Sequence, residues 1–109
     1  MLLEYSGVIC SGAGKSTKWM KIYLNSFYPG TMNIKLDRPK HQIIYDESIN
    51  TKYGRCYLGR CWLNELEVSI VLPPRATLDD NYIELGYHQN LKELLNLQTG
   101  NTVNIKFYK

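Results

Sequence analysis

Leu66, Val68, Ile70 and Leu72 recur at every second position, and Pro73-Pro74 then stops the run. A period of two places all four side chains on one face of an extended strand. A chain that must bury such a face needs further strands beside it, and it has them. Met32, Ile34 and Leu36 alternate with Thr31, Asn33, Lys35 and Asp37, and Val103, Ile105 and Phe107 alternate with Thr102, Asn104 and Lys106. Residues 2–10 (LLEYSGVIC) form an apolar run with β-branched and aromatic content and read as another strand. Residues 55–63 (RCYLGRCWL) suggest a further one, with Gly59 marking a bulge or bend. Short strands are expected over 42–45 (QIIY) and 82–85 (YIEL), while 46–54 (DESINTKYG) reads as a turn-rich loop.

Helical spacing is clear only over residues 90–97 (NLKELLNL), through Leu91, Leu94 and Leu95 with Leu97 nearby. Gly100 falls where a helix C-terminus or turn would use it. Residues 19–27 (WMKIYLNSF) fit either a short helix or an extended segment, ended by Pro29-Gly30. Six or more short strands with one or two short helices predict a mainly β fold. The expectation is a single domain over residues 1–109, a small six-stranded β-barrel, closed or nearly so. Helices of the required length do not alternate with the strands, which argues against a doubly wound α/β fold.

The formal net charge of +3 suits an anionic small ligand. Surfaces that bind duplexes cluster far more Lys and Arg, so no nucleic-acid partner is expected. The nine tyrosines fit barrel walls and rims, or alternatively base-stacking platforms. Cys10, Cys56 and Cys61 make an odd count. Met-Leu-Leu-Glu-Tyr is too polar and too short for a signal peptide or a membrane span, so reduced thiols, a cytoplasmic location and no membrane partner are expected. The spacing of Cys56 and Cys61 is not that of a zinc pair, and His41 and His88 read as surface residues.

Ser11-Gly12-Ala13-Gly14-Lys15-Ser16-Thr17 follows an apolar strand and precedes a possible helix, the context of a P-loop. The pattern needs a glycine five residues before Gly14, where this chain has Ile9. No later strand ends in a metal-holding aspartate, and the βα units of a P-loop sheet are missing. A glycine turn that merely joins two elements accounts for the segment better than a true P-loop does. Gly12 and Gly14 still allow close backbone approach, so that successive N–H groups can converge on a phosphate, and Lys15 and Lys18 add charge.

Thr31 and Asn33 leave the same face of their strand, roughly 7 Å apart, and each offers a neutral oxygen. Such a pair suits Mg²⁺ arriving with a nucleotide, because that ion takes much of its charge partner from phosphates. A polar strand face bonded to a neighbouring loop is the alternative.

The segment Pro29-Gly30-Thr31-Met32-Asn33-Ile34-Lys35-Leu36-Asp37 is similar to the PGTxNxKLD segment of the CTP-dependent riboflavin kinases. Ser11-Gly12-Ala13-Gly14 resembles the start of their SGxGxG loop. Val71-Leu72-Pro73-Pro74-Arg75, Glu84, Leu91-Lys92-Glu93 and Leu97-Gln98-Thr99-Gly100 follow in the family's order. The resemblance implies a cradle-loop β-barrel that moves the terminal phosphate of CTP to riboflavin, giving FMN and CDP. It implies that Ala13, Gly14, Lys15, Ser16, Thr17 and Lys18 hold the nucleotide phosphates and that Thr31 and Asn33 hold Mg²⁺. By the same carry-over, Gln89, Asn90, Leu91 and Lys92 contact the nucleotide, partly through the backbone, while Glu84 contacts the flavin and Ala76 stands where the family has a flavin-contacting threonine.

Four departures from the family pattern bear on function. The third loop glycine is Ser16; Ala76 replaces the threonine, with Thr77 one residue late; His88 stands for a proline; and the stretch before Pro29 is several residues short. No general base stands out, and Asp37 and Glu84 are the carboxylates to test. Asp37 also reads as a partner of Arg38, and Glu84 as an exposed strand residue. The readings that follow are a kinase for riboflavin or a related small alcohol, a catalytically silent nucleotide- or flavin-binding barrel, and, more remotely, a P-loop NTPase.

Overall fold

The structure, a computed structural model, describes residues 2–11, 17–40, 43–74 and 81–108. Their elements run β1 (Leu2–Cys10), α1 (Thr17–Tyr23), β2 (Met32–Leu36), β3 (Tyr45–Thr51), β4 (Gly54–Leu63), β5 (Leu66–Leu72), β6 (Tyr82–Gly86), α2 (Leu91–Leu94) and β7 (Thr102–Tyr108). The strands lie in the order β3-β4-β5-β6-β2-β1-β7, and β7 also pairs with β4. Trp62 opposite Lys106 and Leu63 opposite Ile105 make that last seam. Six strands therefore close into a barrel without a free edge, and β3 lies outside the ring as a hairpin on the first half of β4. Every pairing among the described residues is antiparallel. The mainly β expectation holds, and the parallel sheet that a P-loop NTPase needs is not the architecture of this chain.

The alternation seen in the sequence fills the barrel. Tyr5 and Ile9 of β1, Met32, Ile34 and Leu36 of β2, Cys61 and Leu63 of β4, Val68 and Ile70 of β5, Ile83 and Leu85 of β6, and Val103, Ile105 and Phe107 of β7 form one buried cluster. Burying an aliphatic side chain of this size contributes about 1.5–3 kcal/mol. The β4–β5 hairpin turns on Asn64 and Glu65, whose φ values of 47° and 79° are both positive, as a two-residue turn matched to strand twist requires.

A second cluster lies on the outer wall. Trp19, Met20 and Leu24, from α1 and the residue after it, pack on Cys56 and Leu58 of β4 and Val71 of β5. Cys56 and Leu58 are an odd number of residues from Cys61 and Leu63, so they point to the opposite face of the same strand. The buried face of β4 thereby changes along its length, outer at Cys56 and Leu58 and inner from Gly59 onward. Gly59 sits between the two sets: a Cβ there would lie 2.8 Å from the Ile44 carbonyl oxygen. The register shift between Tyr45 and Glu47 falls opposite it, so the bulge expected near Gly59 is carried by the partner strand.

Three local expectations are corrected. The segment 46–54 is mostly strand, since β3 spans Tyr45–Thr51, whereas Ile43 and Ile44 lie outside any strand. β3 pairs through its backbone while most of its side chains stay in solvent, so its polar sequence carries no alternation. The helix expected over 90–97 is one turn, Leu91–Leu94. Asn96 ends it with a φ of 53°; its N–H reaches the Glu93 carbonyl and the Leu97 N–H reaches that of Lys92, a Schellman ending. Gly100 serves the turn into β7, one of the two places expected of it, where its N–H donates to the Ile9 carbonyl. Finally, the segment 19–27 resolves into a helix that begins earlier, at Thr17, and stops at Tyr23.

Candidate functional site

Because Met32, Ile34 and Leu36 point into the barrel, Thr31, Asn33 and Lys35 point outward. On β6, Ile83 and Leu85 point inward and Glu84 outward. The β2–β6 register sets Asn33 directly opposite Glu84. The Thr31 hydroxyl Oγ1 donates to Glu84 Oε1 at 2.6 Å. These three side chains form one polar patch on the outer wall. Glu84 is only 8% exposed and is the one buried charged residue among those described, so the reading of it as an exposed strand residue is overturned. Its charge is felt nearby: burial first, and the Glu84 carboxylate second, push the Cys56 thiol up to about 11.

The approach to Thr31 is fixed from both sides. Pro29-Gly30 supplies proline followed by a positive φ of 107°, the order that a type II turn favours. The Gly30 N–H donates to Met20 Sδ at 3.4 Å, tying the turn to α1. The Tyr28 N–H donates to the Tyr87 carbonyl at 2.8 Å.

Together these segments wall a cleft of about 200 Å³ lined by residues 28–32, Leu85, Tyr87 and residues 89–92. Gln89, Asn90, Leu91 and Lys92 thus share a cleft with Thr31. Asn90 Oδ1 accepts from the N–H groups of Lys92 and Glu93 at 3.0 and 3.3 Å and caps α2. The carbonyls of Asn90, Leu91 and Lys92 accept from Leu94, Leu95 and Leu97. Lys92 Nζ donates to Thr99 Oγ1. Much of this segment's polar capacity is therefore spent on holding its own shape.

Of the remaining expected residues, Lys18 is exposed on α1, and Thr17 opens that helix. Ala13, Gly14, Lys15, Ser16 and Ala76, with Thr77 and His41, lie outside the described residues. Asp37 is placed apart. It follows the far end of β2 from Thr31 and pairs with Arg38 at 3.2 Å with both side chains half exposed, the ion pair that its sequence neighbour suggested. His88 is exposed, its ring packed at a tilt against Tyr87. Tyr28 and Tyr87 in the cleft wall, Met20 behind the turn and Cys56 beside Glu84 were not legible as site residues. The tyrosine surplus was the one available signal for the first two.

Among the described residues no three His, Cys, Asp or Glu side chains cluster as a metal site. The donor set of Thr31 and Asn33, two neutral oxygens with a carboxylate behind them, fits a hard cation whose charge is met chiefly by a ligand's phosphates. No helix among the described residues is long and apolar enough to cross a membrane.

Fold and site together define a small antiparallel barrel with a cleft at its rim beside a polar patch of Thr31, Asn33 and Glu84 on its outer wall. A family model for CTP-dependent riboflavin kinases, described as domain of unknown function DUF120, matches residues 9–107, and the chain belongs to that family. It is 26% identical over 124 residues to a riboflavin kinase of Methanobrevibacter smithii, covering 96% of this chain and 100% of that relative. It is 28% identical over 130 residues to a riboflavin kinase of Pyrobaculum islandicum, covering 97% of this chain and 61% of the relative. A third riboflavin kinase, from Pyrococcus furiosus, is 28% identical over 121 residues, with 92% and 56% covered. The chain therefore spans the whole of the first relative and little more than half of the other two.

Proposed function

We propose that this protein transfers the terminal phosphoryl group of CTP to the primary hydroxyl of riboflavin, giving FMN and CDP with Mg²⁺ bound beside the phosphates. The observation that carries the reading is that Thr31, bonded to Glu84 beside Asn33, also lines the cleft walled by residues 28–32 and 89–92, in a chain matched to this family over residues 9–107. Phosphoryl transfer asks a protein mainly for positioning and charge neutralisation. Mg²⁺, when bound, neutralises charge on the phosphates. Thr31 and Asn33 would hold it through neutral oxygens.

Gln89, Asn90, Leu91 and Lys92 would hold the cytidine nucleotide, and the loop from Ala13 to Lys18 would cradle its phosphates. Glu84 would contact the flavin, and Ala76 would stand in place of the family's flavin-contacting threonine. In the step itself the riboflavin oxygen forms a bond to the terminal phosphorus. The bond from that phosphorus to the bridging oxygen breaks, CDP leaves with those electrons, and the hydroxyl proton is lost. Of the two candidate carboxylates, Glu84 lies in the site and Asp37 at the far end of β2, which favours Glu84 as the proton's acceptor.

The test is incubation of riboflavin and Mg²⁺ with CTP, ATP or GTP in turn, followed by mass spectrometry. A gain of one phosphate on riboflavin with CTP supports the reading. Binding of CTP and riboflavin without transfer would make the protein a silent binding barrel, and no turnover with any of the three nucleotides would remove the kinase assignment.

A further inference from the structure

We propose a second role for Glu84: it is a positioning residue that acts through Thr31, fixing the threonine hydroxyl with its lone pairs outward for the cation that accompanies the nucleotide. The inference rests on the kinase reading above. A carboxylate can only accept, so the 2.6 Å contact commits the Thr31 proton to Glu84 Oε1. A bond of this length to an ionised acceptor is of the stronger, charge-assisted kind. A threonine hydroxyl otherwise rotates, and with its proton turned outward it would oppose a cation. With the proton held back, only lone pairs face the ligand side.

Three further features support this arrangement. Glu84 joins Thr31 across 53 residues of sequence and lies opposite Asn33 in the β2–β6 register, so the carboxylate and both neutral donors share one outer face. Burial to 8% exposure weakens the screening of its charge by water. The backbone before Thr31 is anchored independently, by Gly30 on Met20 and by Tyr28 on Tyr87. The Glu84 contact therefore sets the rotamer of Thr31 on a backbone already held in place.

The experiment is a double-mutant cycle read by electron paramagnetic resonance of Mn²⁺ titrated into the full chain with saturating CDP, with no turnover involved. Thr31→Val and Glu84→Ala should each weaken Mn²⁺ binding by roughly 10- to 100-fold, the usual effect of removing such a supporting partner. Because Glu84 acts through Thr31, adding Glu84→Ala to Thr31→Val should weaken binding by less than about threefold more. Thr31→Ser should restore wild-type affinity. Should Glu84→Ala not fold, Glu84→Gln in the wild-type and Thr31→Val backgrounds carries the same comparison. Wild-type affinity in the Glu84 variants, or fully additive losses in the double variant, would overturn the inference. If the wild-type chain binds no Mn²⁺ with CDP, the kinase reading itself fails and takes this inference with it.

Discussion

Burial, and after it the charge of Glu84, holds the proton on the Cys56 thiol, raising it from the ordinary 9.0 to about 11. Cys61, inside the barrel, is pushed up to about 12 by burial. In the unfolded chain both thiols would ionise near 9, so above that pH the unfolded state sheds protons that the folded state keeps. The stability tied to these thiols is complete below pH 9 and declines as pH rises through 11 to 12. For Cys61 the slope is at most about 1.4 kcal/mol per pH unit. Thermal melts from pH 7 to 11 should show a steeper alkaline fall in the wild type than in a Cys56→Ala/Cys61→Ala variant; equal slopes would contradict this.

Gly59→Ala should destabilise the barrel by about 1–3 kcal/mol, the range for forcing extra volume into a packed site. The added Cβ meets the Ile44 carbonyl at 2.8 Å, and backbone cannot rotate aside as a side-chain tip can. Urea unfolding followed by circular dichroism measures the loss. A midpoint equal to that of the wild type would show that the β3 bulge yields at little cost.

Asn90→Ala removes the oxygen that caps α2 through Lys92 and Glu93. The expected loss of stability is about 0.5–2 kcal/mol. Because the same turn lines the cleft, CDP affinity by calorimetry should fall with it, and Asn90→Asp should recover the stability. A variant that loses stability and keeps full CDP affinity would separate the cap from the ligand rim.

Asp37→Asn should leave riboflavin phosphorylation within about twofold of wild type and stability within about 1 kcal/mol, since an exposed ion pair contributes little. Its partner Arg38 and its position beyond the end of β2 set it apart from Thr31. A hundredfold fall in turnover would instead make Asp37 a catalytic group.

Alternation made the barrel readable. Met32, Ile34, Leu36, Val68, Ile70, Val103, Ile105 and Phe107 follow a period of two and face one interior. The outer cluster was not readable, because the buried face of β4 switches between Leu58 and Gly59 and Val71 follows inward Ile70 directly, so no single period marks it. β3 carried no signal, since its pairing is made by backbone. Asn96 shortened α2 by supplying the left-handed ending. At the site, the Thr31 and Asn33 pair was visible from spacing within one strand. The burial of Glu84 and its bond to Thr31 depend on pairing β2 with β6, a distant relation that no local pattern encodes.

The outward and inward faces of β2 also bear on which length changes the gene can accept. Chemistry candidates and core residues alternate there one by one, Thr31 and Asn33 outward, Met32 and Ile34 inward. Inserting or deleting one residue within the strand would exchange the two sets, turning Asn33 into the barrel and Ile34 onto the outer wall at a stroke. Variation in length should therefore collect in the connections, while the five residues of β2 tolerate substitution but not insertion.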